Sequence, residues 1–132
     1  MIHNLVDREA IRKALESPTG WRGSDPERPT FFEKDLFDGD GYRVCLHRFV
    51  AADKPQCFHS HPATAVRMVL IGGYVEEFPD GGTAEILEGH IGVVFPEMAH
   101  RVHRVLNGEE SVSLWVRGPK THKTQLIGQG WL

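Results

Sequence analysis

Cys57-Phe58-His59-Ser60-His61-Pro62 is the stretch on which the reading of this chain turns. Side chains alternate faces along an extended strand, so histidines at i and i+2 point the same way. Two residues of rise separate them by about 6.6 Å, within reach of one metal ion. The pair is a chelate that lacks a third arm. Pro96-Glu97-Met98-Ala99-His100-Arg101-Val102-His103 offers two candidates, His100 and His103, after a second apolar strand. His100 lies 100 − 61 = 39 residues beyond His61, a distance that requires intervening hairpins to bring the ligand back.

Outward from this stretch, the sequence reads as sheet. Extended segments are expected at 42–50, 66–71, 74–78, 83–87, 91–95, 101–106 and 112–117. Turn chemistry separates them: Gly72-Gly73, Pro79-Asp80-Gly81-Gly82, Glu88-Gly89-His90 and Asn107-Gly108. Short strands at this spacing argue for an all-β fold, a small antiparallel barrel or jelly roll. Ahead of them, Leu5, Ile11, Ala14 and Leu15 recur at near-helical spacing from Asn4 to Glu16, and Ser17-Pro18-Thr19-Gly20 stops the pattern. The Gly- and Pro-rich stretch from Trp21 to Pro29 reads as loop. The expected organisation is a single domain, with residues 1–40 as a helix and loop packed on a barrel of residues 41–132.

The chain has 132 residues, 40% of them hydrophobic, and a formal net charge of −3. That is enough chain for one core, and it contains no apolar run long enough for a membrane span. Lysine and arginine are spread along the sequence rather than gathered in a basic patch. A small-molecule ligand is therefore expected, with no nucleic-acid or membrane partner. The first nine residues lack a basic stretch followed by an apolar core, so a cytoplasmic location is expected, with Cys45 and Cys57 reduced.

The His-x-His pair, the following strand ending in Gly72-Gly73-Tyr74, and a segment from Gly89 to Pro96 leading to His100 resemble the two motifs of the cupin superfamily. The resemblance covers roughly residues 46–118. Within it, Leu46-His47-Arg48-Phe49, Asp53, His59-Ser60-His61-Pro62, Gly72-Gly73-Tyr74-Val75-Glu76, His100-Arg101-Val102 and Gly118-Pro119-Lys120 are similar to small bacterial and phage cupins. The implied ligand set is like that of the cysteine-dioxygenase-like cupins. A typical cupin places a glutamate ligand four or five residues after the second histidine. Those positions here are Ala65 and Val66, so three histidines are implied. Met98 stands where the second motif usually has glycine. His100 and His103 face opposite ways on a regular strand, so one of them is the ligand. The resemblance implies His100, ahead of Arg101-Val102, and a bulge would pass the role to His103.

A three-histidine site suits divalent iron, zinc, nickel, manganese or copper. The resemblance favours Fe(II) and implies a dioxygenase, an oxidoreductase acting on a small molecule. The alternatives are a zinc-bound or non-catalytic cupin serving as a binding or assembly module and, more weakly, a sugar isomerase or epimerase. Arg67 is expected on the interior face, either clamping a substrate carboxylate or paired with Glu76 or Glu77. Cys57 shares the parity of the histidine pair and is expected in the pocket wall. Tyr74, Trp115 and Phe95 are expected as core or wall, and His47, His90 and His122 as surface residues. An outer strand is expected to pair two copies into a homodimer.

Overall fold

In a computed structural model, residues 8–23, 29–53, 57–106, 110–124 and 126–128 are described. The first helical residues expected, from Asn4, the Asn107-Gly108 turn and the side chain of Cys57 lie outside the described residues. One helix, α1 (Arg8–Glu16), precedes eleven strands: β1 (Arg22–Gly23), β2 (Phe31–Gly39), β3 (Tyr42–Phe49), β4 (Cys57–His59), β5 (Ala65–Ile71), β6 (Gly73–Glu77), β7 (Thr83–Leu87), β8 (Ile91–Val94), β9 (Arg101–Val105), β10 (Ser111–Arg117) and β11 (Leu126–Gly128). All pairings are antiparallel. The strands form a six-stranded sheet in the order β1-β2-β3-β10-β5-β8, a three-stranded sheet β7-β6-β9, and the pair β11-β4. This is a single-domain jelly roll. No helix among the described residues is long and apolar enough to cross a membrane.

The seven expected strands all form, within about one residue at each end. The boundary expected at residue 41 does not match the sheet. β2 lies before it and pairs with β3 along its whole length, from Phe31 opposite Phe49 to Gly39 opposite Tyr42. Glu33, Lys34 and Asp35 put charge on both alternation parities of this strand, Lys34 turning to the end of α1 and Glu33 to the cavity.

The two faces do different jobs. On the outer face, Val44, Leu46, Val112 and Leu114 are buried, with Ile11, Ala14 and Leu15 of α1 and Trp21 packed over them. Helix α1 has no fully buried residue of its own and is held at its C-terminal end by a strand residue. Lys34 Nζ donates to the carbonyls of Ala14 and Ser17, at 2.6 and 2.9 Å, and Trp21 Nε1 donates to Ser17 at 3.1 Å. A cation on carbonyls that the helix leaves unpaired also complements the helix dipole. The inner face of the same sheet looks onto the three-stranded sheet, where Val69, Tyr74, Ile86 and Val102 form a second buried cluster.

Gly72 turns the chain from the first sheet into the second, linking β5 to β6. Its φ is +83°, and a Cβ there would lie 2.4 Å from the carbonyl oxygen of Glu110. Backbone on both sides cannot give way. We expect Gly72→Ala to lower stability by about 2–4 kcal/mol through left-handed strain plus overpacking, measured by urea unfolding; a loss below about 1 kcal/mol would contradict this account of the corner.

Candidate metal centre

His59, His61 and His100 meet at one end of a cavity of about 300 Å³. One ring nitrogen from each lies within 4.8 Å of the others. His59 is the last residue of β4, and its backbone bridges His100 in both directions, N–H to carbonyl, at 3.1 and 3.2 Å. His61 lies two residues past the end of the strand, its N–H donating to the carbonyl of Pro96 at 2.9 Å. The local strand expected through both histidines therefore ends at the first of them. The tie to Pro96, rather than continued pairing, holds the second ring in place. His61 Nε2 and His100 Nε2 are 2.9 Å apart.

His100 is buried and faces the pair. His103 is exposed on β9, and its Nδ1 lies 3.1 Å from an Arg101 guanidinium nitrogen. The opposite facings follow from the three-residue spacing.

Behind His100 runs a buried chain of polar groups. His100 Nδ1 hydrogen-bonds Glu76 Oε1. Arg67 donates to both carboxylate oxygens of Glu76, at 2.6 and 3.1 Å, and to the hydroxyl of Tyr74 at 3.0 Å. Of the two expectations for Arg67, pairing with Glu76 is the one the structure shows, and Tyr74 is in the cavity wall. Burial pushes the Glu76 carboxyl up, but the hydrogen bonds from His100 and Arg67 outweigh it and hold the carboxyl down at about 2. An ionised Glu76 keeps the proton of His100 on Nδ1 and presents the Nε2 lone pair to the site. Burial, reinforced by the neighbouring His100, lowers His59 to about 4 and His61 to about 3. Both are neutral at pH 7, the form that binds metals.

Three observations fit a cation at this point. Three imidazoles converge, the outer nitrogen of one is fixed by a carboxylate, and Nδ1 of His59 is buried with no hydrogen-bond partner. The His100–Glu76 link was not anticipated. Its signal was a glutamate two residues after Tyr74 on a strand whose other inward positions are apolar.

His47 corrects the reading of that residue as surface. It lines the cavity, stacks on Trp115 with ring centres 5.0 Å apart, and lies 3.4 Å from Glu33. Phe95, expected in the core or wall, is 58% exposed. Glu33, Cys45 and His47 form a second close group. Burial and the adjacent Glu33 push the Cys45 thiol up to about 12. Hydrogen bonds from His47, Arg43 and Arg22 hold Glu33 below the usual carboxylate range against the effect of burial. A protonated thiol beside a carboxylate already matched by two guanidiniums is an ion-pair network in the wall, not a competing metal centre.

No protein-family model matches the chain, and no curated protein matches it. Solved structures do. A cupin domain from Bordetella pertussis Tohama I is 20% identical with a TM-score of 0.56, over 69% of this chain and 95% of that one. The polyketide cyclase RemF from Streptomyces resistomycificus is 16% identical with a TM-score of 0.68, over 86% and 84%. The Fe(II) form of HppE is 11% identical with a TM-score of 0.61, over 77% of this chain and 58% of that one. At these identities the likeness establishes the fold, which is that of the cupins, and leaves function to the site.

The buried pair is tested by the partner it leaves behind. Glu76→Gln strands the Arg67 charge in the interior and is expected to cost about 3–5 kcal/mol. Arg67→Met combined with Glu76→Gln removes that charge and should recover at least half of the loss in thermal or urea unfolding. A double variant no more stable than the single one would show that the pair does not act as a unit.

Proposed function

We propose that this chain is a metal-dependent cupin whose His59, His61 and His100 hold a divalent iron, and that it is a non-haem Fe(II) dioxygenase of a small molecule. The observation that carries the reading is the convergence of three imidazoles, one oriented by a buried carboxylate, in a cavity of about 300 Å³.

His59, His61 and His100 would hold the ion through three imidazoles, and an Fe(II) bound there would supply open coordination positions for substrate and dioxygen. The chain does the rest. Glu76 keeps the His100 proton on Nδ1 and so fixes which ring nitrogen is offered. Arg67 holds Glu76 and the Tyr74 hydroxyl, whose proton burial retains up to about 12. Phe31, Phe49 and Trp115 line the cavity and exclude water from the reacting end.

Metal analysis of protein purified without chelator tests this directly. Bound iron with oxygen uptake on small thiols is expected. Zinc with no oxygen uptake would overturn the dioxygenase in favour of a zinc-bound binding module. His59→Ala, His61→Ala and His100→Ala should each weaken metal binding by more than about 100-fold, beyond the ~10–100-fold typical of losing an outer partner. His103→Ala should leave it unchanged, and full metal occupancy in all three site variants would refute the assignment.

We propose further that the protein is a homodimer through the part of the outer sheet face that α1 leaves uncovered. Val66 on β5 and Val93 on β8 are register partners there, 40% and 49% exposed, and Ile91 and Phe95 extend the strip at 62% and 58%. Apolar residues on an edge strand suit a symmetric partner. Light scattering should give twice the chain mass for the native protein and the single mass for Val93→Asp combined with Ile91→Asp. A native monomer at high concentration would sink this idea.

A further inference from the structure

Five cationic side chains line the cavity: Arg43, Arg67, Arg101, Arg117 and Lys120. Three of them are matched. Arg43 lies 2.8 Å from Glu33 and 2.7 Å from Asp35, Arg67 lies 2.6 Å from Glu76, and Arg101 lies 2.6 Å from Glu77. Asp53, the remaining carboxylate of the lining, accepts the N–H of Val102 at 2.8 Å. Arg117 and Lys120 have no hydrogen-bond or ion-pair partner among the described residues. Two positive charges therefore face the cavity unopposed.

Their placement is built into the fold. Ser113, Trp115 and Arg117 alternate along β10 and so share the inner face, running from the buried end of the cavity to its mouth. Ser113 is 2% exposed, and its hydroxyl has no partner, a free polar group in a wall that otherwise satisfies its own. After β10 the chain folds across the mouth. Gly118 N–H donates to the Thr64 carbonyl at 3.0 Å, and Thr121 and His122 N–H both donate to Pro62, at 2.7 and 2.9 Å. Those bonds hold Lys120 beside the loop that carries His61. Trp115, two residues before Arg117 on the same face, has its ring 5.4 Å from that of His61.

We infer that the cavity takes a small carboxylate, its anionic end held by Arg117 and Lys120 and its apolar body against the Trp115 ring. A guanidinium offers a carboxylate two parallel N–H groups, and a cleft with low-dielectric walls strengthens the attraction. As the substrate class of the proposed reaction this rests on the metal-dependent reading, but the binding itself involves only residues of the chain.

The experiment compares 3-phenylpropionate with its neutral amide, titrated into the full chain by amide NMR, both as purified and after removal of metal. The acid is expected to bind at least about tenfold tighter than the amide in both forms, and to weaken as sodium chloride rises from about 50 to about 500 mM. In Arg117→Gln combined with Lys120→Gln the acid and the amide should bind within about threefold of each other. Neither side chain is buried, so the spectrum of the folded protein should persist and serve as the control. Equal affinity for acid and amide in the native chain, no binding of either at millimolar concentration, or an undiminished preference in the double variant would each overturn the inference. A protein that holds no metal yet keeps the preference would refute the proposed chemistry alone, and one that holds iron without the preference would refute this inference alone.

Discussion

The buried contact between Arg67 and Glu76 ties the structure together, because each residue belongs to a different sheet. Arg67 is on β5 of the six-stranded sheet, Glu76 is on β6 of the three-stranded sheet, and Glu76 in turn holds His100, which bridges to His59 at the end of β4. A buried ion pair roughly breaks even against the cost of removing its charges from water, so its main effect is on which arrangement forms rather than on how stable that arrangement is. A slip of one residue on either strand would put an apolar neighbour, Val66 or Val75, where the charge now sits. The orphaned partner would remain buried. Register, the joining of the sheets and the orientation of one histidine thus depend on the same pair of side chains.

The remaining stability comes from elsewhere. Val44, Leu46, Val112 and Leu114 pack outward under α1, while the inner face of the same strands carries His47, Ser113, Trp115 and Arg117. The apolar core on one side leaves the other free for polar and aromatic groups that a compact interior would not tolerate. That division explains why β3 and β10 are buried on both faces without being apolar on both.

Elements dominated by alternation and turn chemistry were legible in the sequence. The strands from β5 to β10 follow apolar runs bounded by Gly-Gly, Pro-Asp-Gly-Gly and Glu-Gly-His. The fold class and the three histidines follow from that pattern together with the motif resemblance. β2 was not legible, since Glu33, Lys34 and Asp35 read as solvated loop until Arg43, Arg22 and the end of α1 are brought against them by pairing. β4 was read from the His59–His61 alternation but ends at His59, while its three-residue partner β11 is defined by the backbone pairing alone and was not anticipated. His47 could not be distinguished from a surface histidine because the ring it stacks on, Trp115, lies on a strand far along the chain. The absence of partners for Arg117 and Lys120 is likewise a property of the assembled cavity, since every cation in a sequence has carboxylates nearby in composition.

The carbonyl of Pro62 accepts two backbone donors, Thr121 and His122, and it sits one residue from His61 and, through those donors, one residue from Lys120. The segment that carries Lys120 and the loop that carries His61 are therefore joined directly by backbone hydrogen bonds. Any free energy that couples occupancy of the two ends must be the same in both directions, so whatever tightens one tightens the other by an equal factor. The loop from His61 to Thr64 and the strap from Gly118 to His122 are thus one hydrogen-bonded unit, with a histidine of the cluster on one side and Lys120 on the other.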